Sequence, residues 1–127
     1  LNVTTAKIAN DNVTHDKLEN RYTALSALGT GSTFALDFSA ASTFTATANA
    51  NATFTFSNAA QGQVIDLILT GNYTITFSET GSTFNKVGST DYDGTANNLI
   101  QIVCTDDSSG SKIYHYSIGT YTSDPTP

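Results

Sequence analysis

Cysteine occurs once, at Cys104, proline only at Pro125 and Pro127, and methionine and tryptophan not at all. A single cysteine excludes an internal disulfide and any cysteine-based metal cluster. Its setting, Leu-Ile-Gln-Ile-Val-Cys over 99–104, marks it as an inert small core residue. Charge is scarce as well: 13% of residues, about half the usual share. Five basic residues against eleven acidic ones, a net charge of −6, cannot make the cationic footprint that phosphates require, so no nucleic-acid partner is expected. No apolar run reaches the length of a membrane-spanning helix, and no basic-then-apolar leader opens the chain; neither membrane insertion nor an export signal is expected. The sequence begins at Leu1, which reads as a processed or excised start.

Thr, Ser and Asn are abundant, filling 46 of the 127 positions, and they are joined by seven Phe and six Tyr. Low charge with many aromatics is opposite to the disordered signature. A chain of this length buries roughly two thirds of its unfolded surface, enough for one core without staples.

Residues 1–30 differ from the remainder. Asn-Val-Thr-Thr-Ala-Lys-Ile-Ala-Asn (2–10) aligns with Asn-Val-Thr-His-Asp-Lys-Leu-Glu-Asn (12–20), a ten-residue repeat. Val3, Ile8, Val13 and Leu18 recur five apart, a spacing that neither a helix nor a strand places on one side. An arm of short extended pieces and helical turns fits better, and it can bury those residues only against partner chains. The second repeat leads into an expected helix over 14–28, with Thr14 as N-cap, Asp16 and Glu19 in the first turn and Gly29 past the end. Leu18, Tyr22, Leu25 and Leu28 share one stripe. With Val3, Ile8 and Val13 they form the candidate oligomer interface, the alternative being that the helix packs onto its own β domain. Gly-Thr-Gly-Ser at 29–32 reads as a hinge.

From Thr33 the period becomes two. Residues 33–39, 43–48 and 52–57 alternate small or polar residues with Phe and Leu, and 63–69 is more continuously apolar, as a central strand is. Gly71-Asn72 predicts a hairpin into 73–77, and the polar loop 106–110 predicts another between 98–104 and 112–118. Residues 84–94 read as a long loop or a weak strand. Seven or eight short strands predict a mainly β fold, an antiparallel β-sandwich or jelly roll over 31–122, followed by a loose tail at 123–127.

Motifs that carry chemistry are sparse. Asp66 interrupts an apolar run, with Ile65 and Leu67 on the opposite face, so it is expected to face solvent or a subunit seam. Asp91-Tyr-Asp93-Gly94 offers two carboxylates and a turn, but an EF-hand loop counted from Asp91 would need Glu where Ile102 stands. A calcium site shared with Asp106 or Asp107 competes with a solvated turn. His15 and His115 are too few for zinc. The Asn-x-Thr sequons at Asn2, Asn12, Asn51 and Asn72 are about as many as chance gives, and Gly29-Thr-Gly-Ser lacks the Lys of a phosphate loop. Tyr114 and Tyr116 alternate on the last strand. They are core residues, or, if their face is outward, a candidate glycan contact.

Residues 33–119 resemble a domain common in bacteriophage virion proteins of the tail-fibre type. The resemblance rests on the order of "Ala35-Leu-Asp-Phe-Ser", a "Thr-Phe-Thr-Ala-Thr" strand, "Asn51-Ala-Thr-Phe-Thr-Phe-Ser-Asn58", "Gly62-Gln-Val-Ile-Asp-Leu-Ile-Leu", "Tyr-Thr-Ile-Thr-Phe77", "Thr95-Ala-Asn-Asn-Leu-Ile-Gln-Ile102" and "Lys112-Ile-Tyr-His-Tyr". The degenerate arm repeat is similar to those that precede β domains in such fibres. The resemblance implies a non-enzymatic virion structural protein, a homotrimer that contacts other virion proteins and host surface glycan. It brings no catalytic residues, cofactor or metal. Capsid decoration and a free carbohydrate-binding module are the alternative roles.

Overall fold

The period-two segments do become strands, in a sheet whose strand directions differ from the expected ones. The computed structural model describes residues 18–122. One short helix, α1 (Asn20–Thr23), precedes seven strands: β1 (Leu25–Asp37), β2 (Thr43–Ser57), β3 (Val64–Thr70), β4 (Ile75–Ser78), β5 (Thr83–Lys86), β6 (Asn97–Asp106) and β7 (Ile113–Tyr121). They form one sheet in the order β1-β2-β3-β6-β7-β5, with β4 paired to β2 off that path.

β1 and β2 pair in parallel from Leu25↔Thr43 to Asp37↔Ser57. A straight strand of 13 residues runs about 43 Å, yet the link from Asp37 to Thr43 spans at most about 20 Å. Both strands must therefore bend back. The pairing jumps from Gly31↔Ala48 to Thr33↔Thr53, which places the corner of β2 at residues 49–51, all exposed. β3 continues the first half of β2, starting at Thr43↔Asp66, and β4 continues the second half, starting at Ala52↔Ile75. The chain thus makes three stacked circuits: 25–37, 43–57 and 64–78.

This geometry corrects the antiparallel expectation. Four of the six pairings are parallel; only β3–β6 and β6–β7 run antiparallel. Parallel neighbours usually need a long crossover, but a sheet that bends back returns the chain by itself, and a five-residue corner suffices. The Gly71-Asn72 hairpin is corrected for the same reason: β3 and β4 both bond β2 and form no ladder with each other. The second expected hairpin is present, as β6 and β7.

Stacking puts like residues in rows. Phe34, Phe54 and Phe77 are partners across three strands, with ring centroids 4.7 and 6.2 Å apart. Phe44, Leu67 and Ile100 form a second buried row. On the outer surface Thr33, Thr53 and Thr76 align, and the Thr47 and Thr70 hydroxyls are 3.1 Å apart. Such cross-strand pairs are the unit of sheet stability. Polar side chains tie the corners together: Asn58 donates to the Asp37 carboxylate at 2.9 Å, and buried Gln63 donates to the Phe38 carbonyl at 2.6 Å. Hydrogen bonds from Ser39 and then Asn58 hold the Asp37 carboxyl below its ordinary range.

The expected helix over 14–28 is limited to α1 among the described residues. Leu25 and Leu28 belong to β1, and the glycine-rich stretch 29–32 lies at the bend of that strand rather than between two regions. Thr23, Ser26, Gly29 and Thr30 are poor helix formers, so a marginal helix loses to a ladder with β2. Leu18, Tyr22 and Leu25 are 46%, 61% and 64% exposed, while Leu28 packs against the core. Val3, Ile8, Val13 and the repeat arm, together with the tail at 123–127, lie outside the described residues.

Candidate functional site

Tyr114 is wholly buried, which corrects its assignment as a glycan contact. Its ring stacks on Phe84 at 5.2 Å and meets Phe56 edge-on at 5.0 Å. The hydroxyl donates to Glu79 Oε2 at 2.7 Å, and burial together with that bond raises its pKa well above the ordinary value. Tyr116, two residues on, shares the face but lies only half-buried, against the edge of Phe77. Strand alternation put both on one face, and the wrapped sheet turned that face inward.

The expected acidic sites resolve into turn chemistry. Asp93 accepts from the Thr95 hydroxyl and amide, bonds that hold its carboxyl below the usual range. Asp106 accepts from Ser108, which lowers it likewise, and Asp107 accepts from the Gln61 amide. Asp91 pairs with Lys86. Among the described residues no group of three or more His, Cys, Asp or Glu is placed to hold a metal ion. Asp66 lies on the outer face, where the Gln101 side chain reaches it at 3.3 Å. Cys104 is buried, and burial pushes its thiol up, as an unreactive core position requires. His115 bonds the Thr105 hydroxyl at 3.0 Å on the surface.

A concave site forms elsewhere, where β4 and β5 part. The two strands are joined by the turn 79–82, closed by Ser82 N–H to Glu79 O at 3.1 Å, yet β4 bonds β2 and β5 bonds β7. Glu79 fixes the closed end: it accepts from Tyr114 and from the Ser82 hydroxyl, and Lys112 lies 3.6 Å from it. The open end is a cleft of about 380 Å³ with Ile75, Phe77, Phe84 and Tyr116 on its walls and the Lys86–Asp91 pair at its rim.

The segment 87–96 walls this cleft, and it is pinned at several points. Asn98, wholly buried, accepts from Asp93 N–H at 3.1 Å and donates to the carbonyls of Asp93, Ala96 and Leu69 at 2.8, 3.1 and 3.4 Å. The Tyr92 hydroxyl donates to Gly71 O at 2.7 Å. Gly94 approaches Asn72 so closely that a Cβ there would lie 2.5 Å from the Asn72 Cα. Beyond Tyr92 a second depression, of about 540 Å³, is lined by Asn51, Asn72, Tyr73, Thr74 and Gly94, and it shares Ile75, Asp91 and Tyr92 with the first.

Tyr73 and Tyr92 were not singled out from the sequence. The signal was an aromatic set among turn formers, in Gly71-Asn-Tyr73 and Asp91-Tyr-Asp93-Gly94, where a ring has no partner strand to bury it. Comparison of the chain with protein-family models, curated proteins and solved structures found no match.

Proposed function

We propose that this chain is a non-enzymatic structural segment of a bacteriophage virion, of the tail-fibre type. It assembles as a homotrimer, joins other virion proteins and presents its β body to the host surface. The order of segments from "Ala35-Leu-Asp-Phe-Ser" to "Lys112-Ile-Tyr-His-Tyr" supports the family reading. The bent-back strands support a two-layered, sandwich-like body built from stacked circuits.

The observation that carries self-association is the cluster of exposed apolar residues Leu18, Tyr22 and Leu25 leading into β1, which among the described residues bonds only β2. Large apolar side chains beside an open strand edge are a liability in a lone chain and an asset in an assembly. Carboxylates engaged in turns and ion pairs agree with a structural role. Light scattering on the intact chain at several concentrations tests the reading. A stable mass of three chains is expected. A clean monomer would overturn the trimer and favour a free carbohydrate-binding module, for which the cleft between β4 and β5 is the favouring feature.

A further inference from the structure

The two depressions that meet at Tyr92 have walls held in place by hydrogen bonds and close packing. The segment 91–97 is fixed by buried Asn98, by Tyr92 bonding Gly71 O and by the close packing of Gly94 on Asn72. The facing corner 71–74 is held by Thr74 N–H to Asn51 Oδ1 at 3.2 Å and by Ala52 N–H to Thr74 O at 2.8 Å. A ligand entering here pays little to order its site. The combined volumes fall within the range of small-ligand pockets.

The lining decides the ligand class. Tyr73 is 44% exposed, and Tyr92 and Tyr116 are half-buried, so rigid rings with polar tips stand along the opening. Between them lie Asn51, Asn72 and Thr74, amides and a hydroxyl that both donate and accept. Sugar rings present the matching surface, an apolar face of C–H groups edged by hydroxyls. An anionic ligand is disfavoured: Lys86, the only cation in the lining, is paired with Asp91, and the chain carries a net charge of −6. The inner cleft offers apolar walls, Ile75, Phe77 and Phe84, between β4 and β5, but the outer depression is walled by Asn, Thr and Tyr, which favours a hydroxyl-rich ligand over a peptide strand.

We propose that the joined depressions bind a neutral oligosaccharide, with Tyr73 as the stacking platform and Asn51, Asn72 and Asp91 as hydrogen-bonding partners. The site deepens the host-contact reading above and rests on it only for the source of the sugar.

The test is a titration of the isotope-labelled full chain, followed by amide shifts. The probes are neutral hexasaccharides of glucose, mannose, galactose and N-acetylglucosamine, with sialyllactose in parallel. At least one neutral probe is expected to bind at about 1 mM or tighter and to shift amides of 72–76 and 91–94. Tyr73→Ala should weaken that binding at least about tenfold and Tyr73→Phe should retain it. Leu99→Ala, on the exposed outer side of β6, should leave it unchanged. No neutral probe binding, binding by sialyllactose alone, or an affinity indifferent to Tyr73→Ala would each overturn the proposal. None of these outcomes changes the mass of the assembly, so the fibre reading and the sugar site fail independently.

Discussion

Gly71 shows how closely single residues are specified at the corners. Its φ is +114°, and a Cβ at that position would lie 2.2 Å from the Ala48 carbonyl oxygen. That oxygen belongs to the backbone of the neighbouring circuit, so it cannot move aside as a flexible side chain would. Gly62 is also left-handed, at +84°, but a Cβ there would meet nothing within 4 Å. Gly71→Ala is therefore expected to destabilise the fold by about 3 kcal/mol or more, and Gly62→Ala by only about 1 kcal/mol. Denaturant unfolding of the two variants separates collision from conformational preference. Equal effects would mean that the corner yields.

Where no ladder forms, a buried polar side chain can hold the backbone instead. The segment from Val87 to Ala96 carries no regular structure, and Asn98 stands in for a strand partner by bonding one amide and three carbonyls. Asn98→Ala strips these groups of their partner inside the protein, at about 2–3 kcal/mol. Hydrogen exchange should show protection lost at Asp93 and its neighbours while β1 and β2 stay protected. Uniform loss along the chain would show instead that Asn98 supports the whole sheet. Nothing in the local sequence marked Asn98: it is one of eleven asparagines, set apart only by a burial that depends on β3 and β7 packing on either side of β6.

At the scale of the molecule, the start of β1 fixes where the arm can be separated from the body. Because Ala24 O receives Ser42 N–H and Leu25 already pairs with Thr43, removing residues through 28 would cut into the first circuit. Deleting only residues 1–17 is expected to leave a folded β body that keeps Leu18, Tyr22 and Leu25 and still self-associates, and replacing those three by Ser in that body is expected to give a monomer by sedimentation. An assembly of undiminished size after those substitutions would place the interface elsewhere on the body. The body relies little on charge: among the described residues the ion pairs are Arg21–Glu19, Lys86–Asp91 and Lys112–Glu79, and the first two each have a strongly exposed partner. Such pairs contribute little to stability.

The β class was legible in the residues alone, because alternation of Phe and Leu with Thr and Ser is a local property that survives any arrangement of strands. The same alternation determined which side chains share a face, as with Tyr114 and Tyr116 or Asp66 between Ile65 and Leu67. Strand direction was decided only by tertiary structure, since parallel and antiparallel neighbours display the same period of two, and the bend that lets five residues link parallel strands exists only when three circuits stack. The site has the same origin. Tyr73, Tyr92 and Tyr116 lie far apart along the chain, and no spacing relates them until the Gly71 corner, the 87–96 segment and β7 are packed around one opening.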